Sequence, residues 1–217
     1  MKPLRYDEWV ESLFNQTTSH HGSHLLCEEF WHTNPDLALL VNWLLRHCGS
    51  DLERFSNDQI ALGLKYLFND LAVQSDTPLK SGEISRIHKL NILRSFQYLY
   101  VDCFEKRCAP VLLHADQCGG DSLNDFCYML WDNSCLSYWD DHRDPEEFYR
   151  ALVEMLRDVL LLNNPACVES ALHGLGHLHS KVPEAVELVV GAYLDRFPSG
   201  DSLLLDYARQ ARIGDVL

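Results

Sequence analysis

Apolar residues recur three and four positions apart in segment after segment of this chain. No stretch alternates apolar and polar residues as a half-buried strand does. Trp9, Val10, Leu13 and Phe14 make one side of a short helix between Tyr6 and Asn15. Leu26, Phe30 and Trp31 do the same between Leu25 and His32. Leu37, Leu40, Val41, Leu44 and Leu45 define a helix that Gly49 is expected to end. Ile60, Leu64, Leu67, Phe68 and Leu71 follow Ser56 and Gln59, which are spaced as a capping box. Glu83 to Arg107 contains no Gly or Pro and reads as one long helix, straight or bent. The stretch CAPVLLHADQCGGDS breaks it, with Gly119-Gly120 as the clearest loop. An aromatic-rich helix then opens at Ser122-x-x-Asp125, followed by one led by Phe148, Leu152, Met155, Leu156, Val159 and Leu160. Helices at 166–182, at Pro183 to Arg196 and through Arg212 complete the chain. Asn, Thr or Asp followed by Pro marks helix starts at 34, 77, 144 and 164. The pattern predicts an all-α fold of about nine to ten helices in a single domain, 1–217, with a possible subdivision near the loop at 108–122.

The densest pattern lies between Ala166 and Val182, ACVESALHGLGHLHSKV. At 100° per residue, Cys167, Val168, Ala171, Leu172, Leu175 and Leu178 share one broad arc, and His179 lands on it too. Glu169, His173 and His177 fall together opposite, four apart. Two imidazoles and a carboxylate one turn apart are the donor types of a zinc or iron site. The reading preferred over it places both histidines in a helix–helix seam. Asp132 and Cys167 are the residues considered to complete a site. Gly174 and Gly176 interrupt the helix, and each costs about 1 kcal/mol relative to Ala. That cost is tolerable where a neighbour packs closely on the glycine. Gly63-Leu64 and Gly174-Leu175 share a G-L-x-x-L spacing that hints at a repeated unit.

Composition narrows the classes. With 47% apolar residues the 217-residue chain can bury a sizeable core. No apolar run reaches membrane-span length, and the acidic, Trp-bearing start is unlike a signal peptide. A cytoplasmic protein is expected, with no membrane partner. Eight cysteines at 27, 48, 103, 108, 118, 127, 135 and 167 contain no C-x-x-C, so free thiols are expected. Cys103, Cys108, His114 and Cys118 match no common zinc spacing, and His20, His21 and His24 read as a solvated turn. A net charge of −14 argues against nucleic acid and suits a protein partner with a basic surface. The segment around Trp131, Asp132, Tyr138, Trp139, Asp140, Asp141 and Asp144 mixes aromatics with acids, as contact surfaces do. These seven residues are the candidate partner-binding set. The alternative turns the aromatics inward and leaves the acids in water.

Two resemblances follow from these motifs. The hairpin ACVESALHGLGHLHSKVPEAVELVVGAYL resembles a HEAT-type helical repeat, which implies antiparallel helical hairpins stacked in a compact, HEAT-like array. QIALGLKYLF, FCYMLWD and ACVESALHGLGHL together are similar to a family of uncharacterised bacterial proteins. That family has the patterns C-Y-M-x-W-D and A-C-x-E-S-A-L-H-G-L-G-H. Lys65 and Leu130 stand where that family usually has Trp. The resemblance implies a bacterial origin and a helical fold, and no activity.

No P-loop, dinucleotide fingerprint or G-x-S-x-G is present, and no cofactor is expected. The leading expectation is a protein-binding helical module, in its concrete form an acidic immunity-type protein that neutralises a basic bacterial toxin. The alternatives are a metal-dependent hydrolase using Glu169, His173 and His177, and a scaffold subunit of a larger assembly.

Overall fold

The structure, a computed structural model, describes residues 2–15, 30, 33–68 and 78–216. Among these residues every regular element is helical, and the helices pack in a compact array. They are α1 (Tyr6–Phe14), α2 (Asn34–Asp51), α3 (Asn57–Phe68), α4 (Arg86–Tyr98), the short α5 (Glu105–Arg107), α6 (Ser122–Asn133), α7 (Pro145–Val159), α8 (Pro165–His179), α9 (Pro183–Arg196) and α10 (Ser202–Arg212). The helix expected between Leu25 and His32 lies almost wholly outside the described residues, as do His20, His21, His24 and Leu71. No helix among the described residues is long and apolar enough to cross a membrane.

Most helix starts follow the sequence signals, with local exceptions. Asn164 caps α8 by accepting the Ala166 amide, with Pro165 next, as expected. Ser56 and Gln59 form their reciprocal bonds. The cap of α2 is Thr33, which makes a capping box with Asp36, rather than Asn34. The cap of α6 is Asp121, boxed with Asn124. Asp144 precedes α7 with φ 54° and makes no side-chain cap bond. Its carboxylate faces Arg86 and Arg143 instead, so the Asp-Pro signal marks the helix start without a side-chain cap. Gly49 does not end α2; the helix runs to Asp51. A Cβ at Gly49 would stand 3.0 Å from Asp102 Cβ, so this glycine serves close packing against the segment that follows α4.

The long helix expected from Glu83 to Arg107 starts at Arg86 and carries a π-helical segment, Leu99–Phe104, between α4 and α5. Such a bulge adds a residue to a turn and re-aims the side chains beyond it. Here it directs Tyr100, Cys103 and Phe104 into the core.

Helix α8 is the centre of the C-terminal part. It packs against α6, α7, α9 and α10. Twelve of its residues are buried, including Glu169, Ser170 and His173. A helix buried all round needs partners for its polar side chains. Ser170 sits in a chain in which Trp131 donates to Tyr100 Oη at 2.8 Å and Tyr100 pairs with Ser170 at 2.7 Å. Ser170 in turn donates to the Cys127 carbonyl. Both glycines of the G-L-x-x-L spacing carry a ring. A Cβ on Gly63 would lie 2.5 Å from Phe14 Cε1, and one on Gly174 would lie 2.6 Å from Trp131 Cδ1. Close helix approach explains the two glycines without any repeat.

Candidate metal centre

The polar row of α8 splits into two sites. Glu169 and His177 are eight residues apart, two turns along the axis, and different neighbours reach each end.

At the inner end, Glu169 is fully buried. Its Oε1 accepts the His114 backbone N–H at 2.8 Å and lies 2.5 Å from His114 Nδ1. Oε2 is buried without a hydrogen-bond partner. His114 comes from the loop between α5 and α6, and its ring stacks on Tyr207 of α10 with centroids 4.1 Å apart. That loop is stapled by polar side chains of neighbouring helices. Asn124 pairs with both backbone groups of Ala109, and Asn164 donates to the Cys108 carbonyl at 2.9 Å.

At the outer end, Asp132 in the last turn of α6 faces both histidines. His173 Nε2 lies 2.5 Å from Asp132 Oδ2, and His177 Nε2 lies 2.9 Å from Oδ1. The two Nε2 atoms are 3.1 Å apart. All three ligand atoms lie within 4.8 Å of one another. With metal–ligand bonds of about 2.0–2.2 Å, tetrahedral ligands sit about 3.3 Å apart, so small side-chain shifts would fit an ion between them. His173 is buried, whereas the His177 side chain is 37% exposed, so the centre opens to solvent on the His177 side.

The surroundings fix His173. Its Nδ1 lies 2.5 Å from Tyr207 Oη, and Tyr128, one turn before Asp132 on α6, covers the ring with centroids 4.7 Å apart. Tyr207 is held protonated, because burial first and then the neighbouring Tyr128 raise its pKa well above the usual range. A metal on His173 Nε2 requires the proton on Nδ1, where Tyr207 Oη can accept it. Asp132 is the group most affected by the cluster. Burial works against its charge, but hydrogen bonds from His173 and His177, and then their charge, outweigh it. The carboxyl is held well below the ordinary carboxylate range.

Sequence reasoning therefore found the two histidines and considered Asp132, but the carboxylate it ranked with them, Glu169, serves His114. Cys167 is buried in the core beside Cys127 and does not join the cluster. Cys103 and Cys108 are buried, Cys118 is exposed, and His114 is engaged by Glu169, so these four do not converge. Tyr128 and Tyr207 were missed, and His114 was weighed only with Cys103, Cys108 and Cys118, not as the partner of Glu169. No local spacing marks them, because each comes from a different helix or loop.

The candidate partner-binding residues have mostly inward or paired places. Trp131 is buried and bonded to Tyr100. Trp139 is fully buried, donates to the Leu136 carbonyl at 2.6 Å and stacks on Phe148 with centroids 4.2 Å apart. Asp132 belongs to the histidine cluster, Asp140 bonds Tyr149 and Lys181, and Asp144 faces Arg86. Tyr138 and Asp141 are exposed. Trp139→Ala is accordingly expected to cost about 3–5 kcal/mol of folding stability, as for other fully buried large aromatics. Urea unfolding checks this; a variant as stable as the parent would return Trp139 to the surface.

No family model, curated protein or solved structure matches this chain, so the site is read from its own geometry.

Proposed function

We propose that this protein binds a divalent first-row transition metal of the zinc class through Asp132, His173 and His177, and that the reaction class it supports is metal-assisted hydrolysis. One observation carries the reading: three metal-competent donor atoms from two helices converge within 4.8 Å, with Tyr207 placed behind His173. Two histidines and one carboxylate are a common three-ligand set, and a fourth position is then left for water or substrate. A zinc-type ion held by Asp132, His173 and His177 would supply Lewis acidity for hydrolysis at neutral pH. The chain's own part is to aim His173 Nε2 and His177 Nε2 at one point, with His173 Nδ1 facing Tyr207, and to keep Asp132 ionised. Fewer observations support the protein-contact reading, since Trp131 and Trp139 face inward and only Tyr138 of the three aromatics stays at the surface beside Asp140, Asp141 and Asp144.

Metal content of protein purified without a histidine tag tests the proposal. About one equivalent of metal is expected, with Zn²⁺ raising the melting temperature of the stripped protein in a dose-dependent way. His177→Ala and Asp132→Asn should each weaken zinc binding by at least about ten-fold while the stripped variants stay folded. Glu169→Gln should leave the stoichiometry unchanged, because its carboxylate faces His114. Metal-free protein with no thermal response to Zn²⁺ sinks the proposal. Loss of metal in Glu169→Gln with full binding in Asp132→Asn would restore the set read from helical spacing.

A further inference from the structure

Lys89 on α4 is one of six lysines in the chain and is only 6% exposed. A lysine this deeply buried is ordinarily paired with a carboxylate. The bonds of Lys89 go elsewhere: Nζ donates to the Lys80 carbonyl at 2.9 Å and lies 3.1 Å from His142 Nε2. His142 Nε2 is also 3.0 Å from that carbonyl. Two nitrogens thus share one acceptor, in a setting that disfavours positive charge on either. Burial, then the nearby Lys80, lowers the pKa of the Lys89 amine. Burial is also the main cause lowering that of His142. A neutral imidazole has one donor and one acceptor nitrogen, and His142 Nδ1 is buried without a partner.

These groups open on a surface cavity of about 510 Å³ lined by Arg86, Lys89, His142, Arg143, Asp144 and Phe148. Arg86 is engaged by Glu147 and Asp144. Arg143 has a side chain 97% exposed and a single 3.8 Å contact to Asp144, which leaves its guanidinium able to take another anion. The cavity therefore combines a buried amine, an imidazole beside it, the Phe148 ring as an apolar wall and an arginine at its rim. An amine in its uncharged form is the nucleophile for carbonyl carbon, and a rim arginine suits a carboxylate.

We infer that this cavity takes a small carboxylate-bearing aldehyde, which Lys89 binds as a reversible imine while Arg143 holds the carboxylate. The Lys89 nitrogen attacks the carbonyl carbon, a C–N bond forms, and the C=O π pair moves to oxygen. The proton released from nitrogen passes through solvent in the open cavity to the hydroxyl, which leaves as water as C=N forms. Amine and aldehyde give imine and water, with no change of oxidation state. The site involves none of Asp132, His173 and His177, so it stands or falls apart from the metal reading.

The test uses wild-type protein with glyoxylate and cyanoborohydride at pH 7, followed by peptide mass mapping. Cyanoborohydride reduces the imine to a stable secondary amine. Only neutral amine attacks, so Lys89 is expected to be labelled at least about ten-fold faster than any other lysine. Arg143→Gln, a change at an exposed side chain, should slow labelling by glyoxylate and leave labelling by propionaldehyde unchanged. Label distributed over the exposed lysines with Lys89 unmodified overturns the proposal. Equal labelling of Lys89 by propionaldehyde and glyoxylate overturns its carboxylate part.

Discussion

Gly174→Leu is expected to prevent stable folding, and Gly174→Ala alone to cost about 1–3 kcal/mol. A Cβ on Gly174 would lie 2.6 and 2.8 Å from Trp131 Cδ1 and Cγ and 3.1 Å from Leu156 Cδ1. Real Cβ contacts of that length do not persist, so either α8 or the ring must move. The ring is poorly placed to move. Trp131 is buried, its indole N–H is committed to Tyr100, and it packs on Phe96 with centroids 5.4 Å apart. Trp131 is also the residue before Asp132, so a displaced ring carries the Asp132 carboxylate of the proposed metal site with it. Gly174→Ala should therefore lower metal affinity as well as stability. Gly176 provides the contrast. A Cβ there would lie 2.7 Å from Val216 Cγ1, on the segment after α10. A non-helical segment can shift where a core tryptophan cannot, so Gly176→Ala should cost less. Thermal and urea unfolding of the two alanine variants, side by side, checks the order. Equal stability of Gly174→Ala and the parent would refute close packing at this point.

Glu169→Ala is expected to destabilise the protein by about 2–5 kcal/mol, since it removes a buried hydrogen-bond acceptor and leaves a cavity. The deletion leaves the His114 backbone N–H and Nδ1 without their acceptor and opens a hole in a fully buried site. It also frees the loop that carries His114, whose ring stacks on Tyr207. Hydrogen exchange should rise first around residues 109–117. Glu169→Gln keeps an acceptor for the His114 amide and should cost less, about 1–3 kcal/mol. Its amide NH₂ takes the place of an oxygen that already lacks a partner. If Glu169→Ala unfolds at the parent's urea midpoint, the carboxylate is not a structural tie.

The helical content was legible because it depends on local periodicity. Trp9, Val10, Leu13 and Phe14 mark α1, and the same rule finds α2, α3, α7 and α8. Asn164 with Pro165 marks a helix start that needs nothing from elsewhere in the chain. Where a cap failed, other partners held the side chain, as Arg86 and Arg143 hold the Asp144 carboxylate away from the first turn of α7. The π-helical segment at Leu99–Phe104 had no local marker either, since its sequence is compatible with an ordinary helix and the core decides how the turn is wound. Trp131 and Trp139 sat among acids in sequence and read as surface. The side toward which a helix or loop turns its rings depends on what packs against it, and here Tyr100 and Phe148 receive them.

By itself, then, the sequence determined an all-α chain, its main helix starts, and the placement of Glu169, His173 and His177 on one side of α8. Spacing of four fixes a shared side because each turn of helix repeats every 3.6 residues. It fixes nothing about what stands across from that side. Only the tertiary structure decided that His114 meets Glu169 while Asp132 meets the two histidines. It likewise placed Tyr207 behind His173 and gathered Lys80, Lys89 and His142 around one carbonyl. Those pairings join residues up to 62 positions apart, and they depend on how α4, α6, α8 and α10 pack, which no local pattern encodes.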